Sequence, residues 1–175
     1  VTDPYILLHP NIPKPLHGIA PRVIMGKEWW DTHRRQAYAD AGYQCEACGV
    51  PKQEAKYHQW LEAHEVYDYD YKRGRITFKK LVALCHSCHN FIHSGRLEML
   101  RQSGEISQDK YEDIIDHGMM ILAWNDIVDE WETRHDHPAY CEWHEWHMMF
   151  EGKRFGPSTF CYEEWEAGEW KNWRP

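Results

Sequence analysis

Four of the six cysteines of this 175-residue chain fall into two matched pairs, Cys45-x2-Cys48 and Cys85-x2-Cys88. Each pair sets two thiolates on a tight turn, and two such turns brought together supply the four soft ligands that tetrahedral Zn²⁺ favours. Redox or disulfide chemistry would explain one pair and leave the match between the two unexplained. We expect a structural zinc held by Cys45, Cys48, Cys85 and Cys88. Cys141 and Cys161 have no such spacing and read as ordinary buried thiols.

The histidines offer a second kind of chemistry. His89 and His93 are four apart, so on a helix they project from one face and can reach one divalent ion. The blander use of the pair is a surface residue at 93 and a backbone cap at 89. His64 stands in the run Leu61-Glu62-Ala63-His64-Glu65-Val66, between the cysteine pairs. A neutral imidazole with a pKa near working pH is suited to taking a proton from water. On a strand, Glu62 shares the face of His64 and offers a hard carboxylate ligand. His58 reads as a half-buried strand residue and His86 as a side chain pointing away from the thiolates, so neither is assigned to a site. Cys141, His144, His147 and Cys161 could form a further zinc site, but Trp143 and Trp146 interleave with them, and a tryptophan-rich packing layer explains the same residues.

Several elements must position these groups. Five prolines in residues 1–26 predict an extended arm, followed by a helix over 27–41 that ends at Gly42 beside the first cysteine pair. Two β-compatible runs, 57–69 and 75–84, flank the turn signal Lys72-Arg73-Gly74 and predict a hairpin. A helix over 89–99 follows the second pair, a longer one over 107–133 shows a broad apolar face, and a hairpin is expected through 148–155.

Taken together, the paired CxxC turns, the strand with His64, the run Leu84-Cys85-His86-Ser87-Cys88-His89-Asn90 and His93 resemble the HNH, or ββα-metal, nucleases over about residues 43–97. The resemblance implies a hairpin followed by a helix, His64 as general base, and His89 and His93 as ligands of a catalytic Mg²⁺, Mn²⁺, Ni²⁺ or Zn²⁺. Glu62 or Glu65 is the candidate for a further ligand, and strand alternation favours Glu62. Two positions depart from the resemblance. Ala63 stands where such enzymes commonly carry a metal-binding Asp or His, and Lys80 stands where the Asn of the family name is expected. The expected fold class is α+β. A small zinc-stapled ββα-metal core at 43–106 would carry an extended N-terminal arm and helix at 1–42 and a helical, Trp-rich, acidic elaboration at 107–175, all within one compact unit.

Charge is split along the chain. Residues 1–110 carry 15 basic and 13 acidic residues, and residues 111–175 carry 5 and 15, so the balances are +2 and −10. The first part can face phosphates, with Lys72, Arg73, Arg75, Lys79, Lys80, Arg96 and Arg101 near the cysteines, and the second repels them. No apolar run is long enough for a membrane span and no signal-like segment opens the chain, so the expected location is cytoplasmic. The leading expectation is a metal-dependent endonuclease acting on nucleic acid, with DNA ahead of RNA, of the kind often carried by phages or mobile elements. The alternative is a non-catalytic zinc module that binds nucleic acid or a protein. A third reading gives the acidic, Trp-rich part a protein partner whose DNA-binding surface it occupies.

Overall fold

The elements follow one another as α1 (Pro21–Asp40), β1 (Glu62–Asp70), β2 (Arg75–Leu84), α2 (His86–Ile92), α3 (Ser94–Gln102), α4 (Gln108–Trp124), α5 (Val128–Thr133), β3 (His147–Phe150), β4 (Lys153–Phe155) and α6 (Tyr162–Glu166). This computed structural model describes residues 1–137 and 140–175, and the fold is mixed α+β. Two units separate by their contacts, each built from three stretches: 1–11, 36–64 and 82–135 in the first, and 12–35, 65–81 and 136–175 in the second. They do not follow the consecutive blocks expected from the sequence. The hairpin is divided between them, with its ends 62–64 and 82–84 in the first unit and the remainder in the second.

In the first unit, Leu61 and the end of β2, Val82 to Leu84, are buried with Phe91 of α2, Leu97 of α3 and Ile114 and Leu122 of α4. The contact between α2 and α4 depends on Gly118, where a Cβ would come within 2.2 Å of the Phe91 ring. That ring also stacks on Trp131, with centroids 5.3 Å apart. Ser107 starts α4 by accepting a hydrogen bond from the Lys110 N–H. Asn125 stops it, donating to the Ile121 carbonyl at 2.8 Å, and Asp126 then adopts a left-handed φ of 58°. The helix expected over 107–133 is therefore two helices. The helix expected over 89–99 is likewise broken, at His93 (φ −89°, ψ 40°), which closes α2 and opens α3.

The arm is not extended throughout. It forms 3-10 turns at Pro4–Leu8 and Lys14–Leu16, with prolines in first positions where a missing N–H costs nothing. The first turn carries Ile6 and Leu7 into the core of the first unit, against α2 and α4. Pro21 opens α1 six residues before the expected start, and Gly26 (φ 82°) interrupts that helix.

In the second unit the sheet has the order β1-β2-β3-β4. β2 and β3 run parallel with Ile76 opposite Met148, and β3 and β4 form the expected hairpin with Met148 opposite Phe155. Leu16, Ile19, Ile76, Trp146, Met148 and Phe150 form its core. Trp143 donates its ring N–H to the Thr159 carbonyl at 3.0 Å, as expected of a tryptophan used in packing. Among the described residues no helix is long and apolar enough to cross a membrane.

Candidate metal centre

The two cysteine turns meet in the first unit. Cys45 starts a turn closed by Gly49 N–H on the Cys45 carbonyl (2.8 Å) and by Cys45 N–H on the Val50 carbonyl (2.9 Å). Cys85 caps α2, and its sulfur faces the Cys88 N–H. Glu46 ties the turns together: its N–H donates to the Ala83 carbonyl at 2.8 Å, and its carboxylate accepts from the Ala83 N–H at 2.6 Å.

All four Sγ atoms lie within 4.8 Å of one another, and none is in a disulfide. The Cys48–Cys85 separation is 3.8 Å. A tetrahedral ion with metal–sulfur bonds of about 2.3 Å would hold its sulfurs about 3.8 Å apart. Thiols this close must share protons. Cys45 takes hydrogen bonds from Cys48, Cys85 and Cys88 and is held far below the usual thiol range, while donating to it pushes Cys85 and Cys88 up. A bound cation would let all four ionise, so the donor set fits a metal such as zinc. His117, with Nε2 3.3 Å from Cys88 Sγ, is placed to steady that sulfur.

The predicted histidines form a second group. His64 leaves β1 buried, and ligand atoms of His64, His89 and His93 lie within 4.8 Å of one another. Burial, then the neighbouring His93 and His89, push the His64 imidazole well below its ordinary pKa. Burial, followed by His89 and Arg96, lowers His93 to about 4. Both rings are thus neutral at pH 7, as a metal ligand or a base must be. His64 Nδ1 is buried without a hydrogen-bond partner, which an ion or an ordered water would satisfy.

Glu62 stands on the same face of β1 as His64 but is shared differently from the expectation. One carboxylate oxygen lies against His89 Nδ1, and the other lies 2.8 Å from His86 Nδ1 and 3.0 Å from His58 Nε2. Burial opposes ionisation of Glu62, but the hydrogen bonds from His86 and His89 outweigh it and hold the carboxyl well below its usual range. The structure therefore groups Glu62 with His58 and His86, the two histidines left unassigned by sequence.

A third unforeseen group is His9, whose ring stacks on His64 with Nδ1 3.1 Å from His64 Nε2. Nothing in its sequence neighbourhood signals this contact. Asn90, beside His89, turns back to donate to the His86 carbonyl at 2.9 Å.

A cleft of about 300 Å³ opens beside the carboxylate, lined by Glu62, His86, Asn90, Arg96 and Lys110 among others. Most of the other basic residues singled out in the sequence are engaged. Arg73 and Arg75 pair with Asp70, Lys79 with Asp68, and Arg101 with Glu98. Among the described residues, Cys141, His144, His147 and Cys161 form no metal-binding group.

Comparison of the chain with protein-family models, with curated proteins and with solved structures gives no match.

Proposed function

We propose that this protein is a metal-dependent endonuclease of the HNH type, hydrolysing phosphodiester bonds in nucleic acid, with DNA the substrate. One observation carries the reading: a hairpin and helix joined at a four-cysteine cluster bring His64, His89 and His93 within ligand distance of one another. The resemblance read from the sequence gives those three residues their roles. Zinc at Cys45, Cys48, Cys85 and Cys88 is the structural element of the proposal.

A divalent ion at the histidine cluster supplies Lewis-acid stabilisation of charge on the scissile phosphate and its leaving oxygen. His89 and His93 offer ring nitrogens to hold it. His64, neutral through burial, accepts the proton of the attacking water. His9 fixes the tilt of the His64 ring, and Glu62 orients His89. Arg96 and Lys110 line the cleft beside Glu62 and offer positive charge to a phosphate that enters it.

The second reading is a non-catalytic zinc module that binds nucleic acid or a protein. It is favoured by Ala63, which leaves β1 without a metal-binding side chain immediately before the base, and by Lys80 in place of the expected Asn. Incubating zinc-loaded protein with supercoiled plasmid and added Mg²⁺, Mn²⁺, Ni²⁺ or Zn²⁺ separates the two. Metal-dependent nicking supports the enzyme, and binding without cleavage under all four ions supports the module.

A further inference from the structure

We propose that His58, Glu62 and His86 form a second divalent-metal site, coupled through the carboxylate of Glu62 to the His64–His89–His93 cluster. The proposal concerns metal binding and does not rest on the nuclease reading.

Three ligand atoms form a triangle. His58 Nε2, His86 Nδ1 and Glu62 Oε1 are separated by 2.9, 2.8 and 3.0 Å along its three sides. Protons cannot satisfy all three sides. His58 Nδ1 lies 3.2 Å from the Trp60 carbonyl, which only accepts, so Nδ1 carries the hydrogen and a neutral His58 turns a bare Nε2 toward the carboxylate. That sets one lone pair against another. Protonating both rings instead would leave two N–H groups facing each other across 2.9 Å. A cation above the triangle satisfies the three atoms together.

The dimensions also select a coordination geometry. With bonds of about 2.0–2.1 Å to nitrogen and oxygen, neighbouring ligands of an octahedral ion stand about 2.9 Å apart, against about 3.4 Å for a tetrahedral one. The observed sides match a facial set of three in an octahedron, with the remaining positions left to solvent or substrate. Two imidazoles with one carboxylate suit Mn²⁺, Fe²⁺, Co²⁺, Ni²⁺ or Zn²⁺, whereas Mg²⁺ prefers oxygen ligands.

The surroundings hold the ligands in place. The His58 ring is stacked on Trp60 at 3.7 Å with an interplanar angle of 1°. His86 is fixed by its position inside the second cysteine turn, so a metal at the four cysteines would also orient it. The side chains of His58, Glu62 and His86 are 12, 23 and 18 % exposed, which leaves the open coordination positions accessible. Glu62 and His86 line the cleft that holds Arg96 and Lys110, so an anion entering it meets this site directly. Two ions sharing one carboxylate would resemble the clamps by which other enzymes hold attacking and leaving oxygens of a phosphoryl group.

The test is a Co²⁺ titration of the zinc-loaded protein, followed by calorimetry, with elemental analysis confirming that the zinc is retained. Two equivalents of Co²⁺ are expected in the wild type, and one in His58→Ala, in His86→Ala and in His93→Ala. The double variant His58→Ala/His93→Ala should bind none. Two equivalents retained in His58→Ala and His86→Ala would overturn the proposal. So would a single wild-type equivalent lost only in His93→Ala, a result that needs neither triad variant to fold. A single equivalent lost in His58→Ala and kept in His93→Ala would uphold this site and refute the metal site of the nuclease reading.

Discussion

His86 Nδ1 lies 2.8 Å from Glu62 Oε1, so a residue inside the second cysteine turn touches the strand that carries His64. The cysteine cluster and the histidine groups are thus joined through α2, which carries His86, Cys88 and His89. Disturbing the cysteines should reach the histidines.

Serine at Cys45 or Cys88 should release the bound zinc and lower the melting temperature markedly, since structural zinc is worth on the order of 10 kcal/mol in small zinc domains. It should also lower Co²⁺ binding at the histidines. Thermal melting with and without chelator measures the first effect. An unchanged melting temperature with zinc lost would show that the metal does not hold the fold.

Gly118→Ala should destabilise the first unit, because the added Cβ would meet the Phe91 ring at 2.2 Å and drive α2 and α4 apart. Overpacking of this kind costs about 1–3 kcal/mol. Since α2 carries His89, divalent-ion affinity should fall as well. Urea denaturation and calorimetry on the same variant decide the matter, and wild-type values in both would mean that the contact relaxes without consequence.

Acid should destabilise protein that carries zinc but no further divalent ion. The His93 imidazole is held down to about 4, mainly by burial, and His64 lower than its ordinary value for the same reason. Between about pH 6.5 and 4 the unfolded chain binds these protons and the folded one does not, so stability falls as pH falls through that window. For His93 alone the loss is roughly 3 kcal/mol by pH 4. Glu62, whose folded carboxyl is also depressed, adds a loss below the ordinary carboxylate range. Urea midpoints across this range should drop more steeply in the wild type than in His93→Ala. Parallel profiles would remove the buried neutral imidazole from the account.

How much of this is visible in the sequence depends on whether the signal is local. Cys45-x2-Cys48 and Cys85-x2-Cys88 declare a cluster because each turn is set by its own few residues, and the α+β class follows from the runs around them. Glu62 and His64 share a face through strand alternation alone. The rest depends on long-range contacts. His9 reaches His64 across 55 positions and His58 reaches His86 across 28, with no spacing rule to announce either. The breaks at His93 and at Asn125–Asp126 escape a periodicity argument because apolar residues continue on both sides of them.

Ala63 and Glu62 separate a complete site from a degraded one. Glu62→Gln should remove the second Co²⁺ equivalent and reduce cleavage strongly, since an amide is a poorer ligand and carries no charge. Ala63→Asp should leave cleavage unchanged or lower, because it crowds a centre that already has its ligands. Higher activity in Ala63→Asp together with no effect of Glu62→Gln would reverse the role given to Glu62 and favour the binding module.

Plasmid nicking reads out the phosphodiester-cleaving centre proposed at His64, His89 and His93. Supercoiled DNA should be converted to open-circular or linear product by zinc-loaded wild type only when a divalent ion is added. His64→Ala should lose about 10²–10⁴ of that rate while keeping its bound metals, as expected for loss of a general base. No cleavage under Mg²⁺, Mn²⁺, Ni²⁺ or Zn²⁺, or wild-type cleavage by His64→Ala, would contradict that proposal.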